Sequence, residues 1–259
     1  MDGVKRFNWA GWLALGFLLC LWELGARATP RLQPYVPAIS QVLAAFGPLL
    51  REGTILKHLA ITLGRFLEGY LLAAGLGVVL GVVLGYFRTV HSFVETLIEF
   101  LRPMPSVAII PVAILALGIG DAMIIAVTVY ATLWPILINA IDGVRRIEKI
   151  LIDTGRTFGL PRRRILWRII LPAASPYIVT GLRIGLSIAL ILVTTAEMIA
   201  GSKGLGFFIL DEERSMNSAA MYGGIIVVAA LGYFLNRFFL ALEFRAMRWR
   251  RGMLAREAF

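Results

Sequence analysis

One acidic residue, Glu197, lies deep in an apolar run that extends from Tyr177 to Ala200. A charge at bilayer depth costs about 2.5–3.5 kcal/mol on insertion scales, so it needs a polar cavity or a partner of opposite sign. Both readings are open here: Glu197 faces a cavity, or it pairs with Arg65 or Arg102. Arg183, near the start of the same run, reads as a snorkelling side chain, and Asp121 as a solvated acid in the turn Gly118–Asp121. Polar residues also recur at helical spacing, as Thr128, Thr132 and Asn139 and as Ser187, Thr194 and Thr195. Each stripe either lines a pathway or hydrogen-bonds between helices. Pro105, Pro111 and Pro135 are expected to break two apolar runs, and such breaks open cavities or form gates. The candidate pathway residues are therefore Met104, Thr128, Thr132, Asn139, Ser187, Thr194 and Glu197.

Little else in the chain could do chemistry. Gly201-Ser202-Lys203-Gly204 lacks the leading glycine of a P-loop, so ATP binding by that route is not expected. His58 and His91 have no partner at metal spacing, and Cys20 stands alone, which excludes a disulfide framework. Neither G-x-S-x-G nor H-E-x-x-H occurs. The expectation is a chain with no catalytic residue, no metal and no cofactor of its own.

The elements that hold these residues are set by composition. Of 259 residues 59% are hydrophobic and 16% charged, with a mean hydropathy of +0.80. Soluble domains are roughly 45–50% apolar and 25% charged, so the chain reads as an all-α membrane protein. Six stretches approach the roughly 20 apolar residues a spanning helix needs. They are Phe7–Ala26, Gly69–Phe87, Pro103–Gly120, Ala122–Ile141, Tyr177–Ala200 and Ser215–Leu242. The first reads as a retained helix rather than a cleaved signal, because Trp22 and Glu23 precede the only A-x-A site. An amphipathic stretch from Ser40 to Leu59 reads as a surface helix, and 203–214 as a loop with a short helix. One domain, 1–259, is expected, with an N-terminal helix at about 7–26, a five-helix core at about 61–242 and a basic loop at 142–176.

A net charge of +10 suggests nucleic acid in a soluble protein, but here the cations sit between apolar runs. With the N-terminus inside, Lys5, Arg6, Arg88, the 142–176 loop and the C-terminal tail place most Lys and Arg in the cytoplasm. The positive-inside rule therefore favours six spans with both termini cytoplasmic and no nucleic-acid partner. Gly77, Gly81 and Gly85 form a doubled G-x-x-x-G that permits close helix packing within the chain or between copies. Trp9, Trp12, Trp22, Tyr86 and Trp249 read as interfacial anchors.

Topology accounts for the arginines of the 142–176 loop but not for its other spacing. Asp153-Thr154-Gly155 is followed by three residues, then Gly159, then nine residues, then Ile169-Ile170-Leu171-Pro172. This resembles the E-A-A signature of permease subunits of binding-protein-dependent ABC importers: E-A-A, three residues, Gly, nine residues, I-x-L-P. Both gaps match, and the opening triplet departs, with Asp153 for Glu and Thr154 and Gly155 for the two alanines. Flanking segments such as Leu115–Gly120, Gly181-Leu182-Arg183, Ala196-Glu197 and Gly204-Leu205-Gly206 are similar to the nitrate/sulfonate/taurine/bicarbonate branch. The resemblance implies a type I ABC-importer permease architecture in the bacterial inner membrane. It implies a cytoplasmic coupling helix, from Ile152 to Phe158, that docks on a partner ATPase. Coupling would then involve Asp153, Thr154, Gly155, Phe158, Gly159, Ile169, Leu171 and Pro172. It further implies a second permease copy, two ATP-binding subunits that hold ATP and Mg, and a periplasmic or lipid-anchored binding protein. The cargo would be a small solute such as a nitrate-, sulfonate- or taurine-like anion. The alternative is a secondary carrier driven by an ion gradient.

Overall fold

The computed structural model describes residues 9–29, 31 and 33–247. Among these residues all regular structure is helical. In chain order the elements are α1 (Trp9–Ala28), α2 (Ile39–Arg51), α3 (Thr54–Tyr86), α4 (Arg88–Leu101), a 3-10 turn (Ser106–Ile109) and α5 (Ile110–Leu117). They continue with α6 (Asp121–Arg145), α7 (Lys149–Thr157), α8 (Arg162–Ile165), a π-helical turn (Leu166–Ile170), α9 (Leu171–Ala200), α10 (Leu205–Arg214) and α11 (Ser218–Ala246). Five helical runs are long and apolar enough to cross a membrane, and a sixth candidate is a bent pair.

That bent pair stands where the third run was expected from Pro103 to Gly120, and it breaks near Pro105 as the prolines led one to expect, but it takes in α4 before the break. α4 meets the 106–117 segment at 90°. The cause is local: Pro103 and Pro105 lack N–H groups and push the residues before them out of helical geometry. Pro111 and Pro135, also expected to break helices, do not. Pro111 occupies the first turn of α5, where a missing N–H leaves nothing unpaired, and α6 runs through Pro135. The second span also begins earlier than expected. The 40–59 stretch is divided by Gly53 (φ 73°), so α2 ends at Arg51 and α3 starts at Thr54.

The core is organised around α6, with α3 on one flank and α9 on the other. Glycine makes both contacts close. A Cβ on Gly81 would lie 2.4 Å from the Ala140 Cβ, and one on Gly77 would lie 2.8 Å from Ile136. The G-x-x-x-G stripe is therefore the α3–α6 seam within one chain. On the other flank Gly181 packs on Asn139 and Pro135, and Gly185 on Ile136 and Thr132. Phe66, Met123, Ile124 and Val193 fill one end of this seam. Ala140, Val144, Ile170 and Ala174 fill the other.

α1 stands off the core and is tied to the start of α2. Trp22 Nε1 donates to Pro37 O at 3.1 Å, and Glu23 accepts from Ser40 and Arg27. Trp22, read as an anchor, instead packs on Tyr222, whereas Trp9 and Trp12 are exposed. Arg183, read as a snorkelling side chain, also pairs with Glu243 of α11 at 3.3 Å. Lys5, Arg6, Trp249 and the tail arginines from 248 onward lie outside the described residues.

Candidate functional site

At the Asp121 end of the bundle, Glu197 is fully enclosed. Its Oε1 accepts from Arg65 Nη1 at 2.9 Å, and its Oε2 accepts from the Thr62 hydroxyl at 2.8 Å and the Gly206 N–H at 3.0 Å. Thr62 in turn accepts the Leu205 N–H at 2.7 Å. Arg65 reaches further, donating to Lys203 O and, through Nε, to Asp121 Oδ1 at 2.9 Å. The loop 201–206 wraps the carboxylate so tightly that a Cβ on Gly204 would lie 2.2 Å from Glu197 Oε1, at a φ of 108° that disfavours any side chain. His58 Nδ1 accepts the Gly204 N–H at 3.0 Å and fixes the loop from the other side. The ion-pair reading of Glu197 therefore holds, and Arg65 is its partner. Asp121, read as a solvated acid in the turn, is exposed and is also the second partner of Arg65. Both carboxylate oxygens are saturated by fixed donors, so this cluster is a clasp between α3, α9 and α10 and offers no open coordination.

At the opposite end, α7 lies across the π-helical turn. Gly155 is buried, and a Cβ there would lie 2.6 Å from Ile169 Cδ1. A small residue at the third position of the triplet thus seats α7 on Ile169. Ile165 and Leu160 border the same contact, and Leu171 packs on the buried cluster beneath it. Gly159 adopts φ 70°, the left-handed exit turn that glycine allows. Thr154 and Phe158 face outward, with Phe158 80% exposed. Ile150, 68% exposed, and Leu151 extend this outward apolar face; the motif spacing did not single them out, although Ile150 stands four and eight residues, and Leu151 three and seven, before Thr154 and Phe158, and that helical spacing is the signal that finds them. Asp153 does not start the helix, which begins after Glu148; it sits mid-helix and pairs with Arg156 at 3.1 Å. Pro172 does not end a helix either. The run from Arg162 to Ala200 is continuous, and Pro172 lies in the first turn of α9, directly after the π turn. A cavity of about 410 Å³ beside α7 is lined by Arg88, Arg145, Lys149, Arg156 and Arg162, with no acidic residue on its wall.

A third feature lies between these ends. A cavity of about 390 Å³ at the α4–α5 bend is lined by Arg102, Ser106, Trp134, Asn139 and Ile188, among others. Of the candidate pathway residues only Asn139 lines it, with its Nδ2 bonded to Pro135 O at 2.8 Å. Met104 lies in the bend beside it, partly exposed. Thr128 and Thr132 are buried in the seams of α6; the Thr128 hydroxyl bonds to Ile124 O, and its methyl meets Gly69. Thr194 bonds to Leu190 O, and Ser187 is exposed on α9. The stripes on α6 and α9 therefore do not converge on one cavity.

Comparison with known proteins adds the following. The pattern of the family described as binding-protein-dependent transport system inner membrane component matches residues 75–248. A putative ABC transporter permease protein of Methanocaldococcus jannaschii is 35% identical over 90% of this chain and 89% of its own length. The taurine transport system permease protein of Escherichia coli is 31% identical over 84% of this chain and 80% of its own. A chain of the inward-facing MetNI methionine ABC transporter superposes with a TM-score of 0.59 at 22% identity, over 78% of this chain and 97% of that one, a likeness of fold.

Proposed function

The chain belongs to the binding-protein-dependent transport system inner membrane components, integral multi-pass permeases of ABC importers, and on that footing we propose that it forms half of a solute pathway driven by ATPase subunits that dock on α7. The observation that carries this reading is the construction of α7. It is seated on the bundle through Gly155 and Ile169, yet it turns Ile150, Leu151 and Phe158 to solvent. An apolar face on an otherwise polar nine-residue helix has to be covered, and a helix locked to a 39-residue run can transmit a push along it.

In this reading the α7 end is cytoplasmic, as are both termini. The five cations beside α7 support that orientation under the positive-inside rule. A second copy of the chain completes the pathway, two ATP-binding subunits hold ATP and Mg, and a binding protein delivers solute at the Asp121 end. The chain itself hydrolyses nothing. The solute is a small anion of the sulfonate or taurine kind; the 31% identity to a taurine permease supports this class.

The test is reconstitution of the complex with its ATPase and binding protein, reading binding-protein-stimulated ATP turnover and solute uptake. Deleting Asp153–Gly159 is expected to abolish both while the helical content of the chain persists. Unchanged ATPase assembly and uptake after that deletion would overturn the docking assignment.

A further inference from the structure

Arg102 stands where a membrane protein has to account for a cation. It caps α4 at the bend, beside the middle of α6. Tyr130 Oη donates to Leu101 O at 2.7 Å, and the cavity that Arg102 lines runs along α6 from Ala131 to Asn139. The 25 residues of α6 rise about 37 Å, more than the roughly 30 Å of the hydrocarbon core, so this stretch sits near the bilayer centre. An ionisable residue at that depth marks a functional site unless a partner neutralises it. Arg65 and Arg183 both have such partners. Among the described residues Arg102 has none.

The wall around Arg102 is chemically one-sided. Ser106 contributes a hydroxyl, Asn139 an amide, and no acidic residue lines the cavity. The indole N–H of Trp134 is sealed from this space, so Trp134 gives the wall only its ring. A cation, a hydroxyl and an amide around one cavity are a set that receives an oxyanion. We propose that this cavity is a transient site for a small organic anion with a sulfonate or carboxylate head, held by Arg102 with Ser106 and Asn139, beside the Trp134 ring, part-way across the membrane. Ile138 and Ile188 wall the same space and suit a short apolar tail. The exposed guanidinium and open cavity make the site weak, as a step on a pathway has to be for the solute to leave. The role in transport rests on the import reading above; the binding does not.

The two are tested separately. The full chain in zwitterionic nanodiscs is titrated with methanesulfonate and with dimethyl sulfone, a neutral analogue of similar shape, while Trp emission is read. Methanesulfonate is expected to give a saturable change that Trp134→Phe removes, that Arg102→Gln weakens about tenfold, and that Arg102→Lys largely retains. Dimethyl sulfone is expected to give none. An equal response to dimethyl sulfone, or an unaltered response in Arg102→Gln, overturns the site. So does separation of the two permease copies in Arg102→Gln, which would make Arg102 an intersubunit contact. In the reconstituted complex Arg102→Gln is expected to lose anion uptake while keeping binding-protein-stimulated ATP turnover. A wild-type complex without stimulated turnover sinks the import reading alone, because the titration still decides the site.

Discussion

At the Asp121 end Arg65 is buried and has three partners, Asp121, Glu197 and the Lys203 carbonyl. At the α7 end Arg88, Arg145, Lys149 and Arg162 are exposed around one cavity, and among the described residues no ion pair holds them. The difference lies in what each end is built to touch. A charge sealed in the protein has to be neutralised by fixed groups, and once that is done it can only join elements. A charge left open at the surface remains available to the membrane boundary or to another subunit. Glu197 is thus a structural clasp although it is the most conspicuous acid in the sequence. The adaptable surface lies around α7.

The comparison breaks first at Glu197. Replacing it by Ala strands Arg65 inside the clasp and is expected to cost about 3–5 kcal/mol, read as thermal unfolding of the purified chain. Glu197→Gln keeps the acceptor for Thr62 and is expected to lose less. A Glu197→Ala chain as stable as wild type would mean that the cluster is not a clasp. At the other end Phe158→Ser is expected to leave unfolding unchanged and to weaken ATPase binding by about 2 kcal/mol, the scale of a buried aromatic anchor, read as the ATPase concentration for half-maximal turnover. Gly155→Leu joins the two properties: displacing Ile169 lifts α7 from its seat, and stimulated ATP turnover is expected to fall about tenfold while the α3–α6–α9 core stays folded by circular dichroism. The smallest effect belongs to Asp121→Asn. That carboxylate is largely exposed, so its loss is expected to cost under about 1 kcal/mol. A larger loss in the same unfolding assay would show that the exposed arm of the Arg65 bridge is part of the sealed cluster.

Much of the molecule was legible in the residues themselves. Apolar run length determined the helical class and where most spans lie, because only helices and closed barrels satisfy backbone groups in hydrocarbon and runs of about 20 apolar residues suit the helix. The Gly159 and I-x-L-P spacing located the protruding element, because a left-handed exit turn and a small seat at Gly155 are local requirements written in residue type. Three things were decided only by the tertiary structure. Periodicity could not say that Glu197 pairs with Arg65 rather than Arg102, since 132 residues separate the pair and helix order sets that distance. Nor could it show that the threonine stripe on α6 faces glycines of α3 and α9, because one helix face looks the same whether it meets water or another helix. The bend at Pro103–Pro105 was marked by its prolines, but its 90° angle, and with it the placing of Arg102 against the middle of α6, depends on where the neighbouring helices leave room.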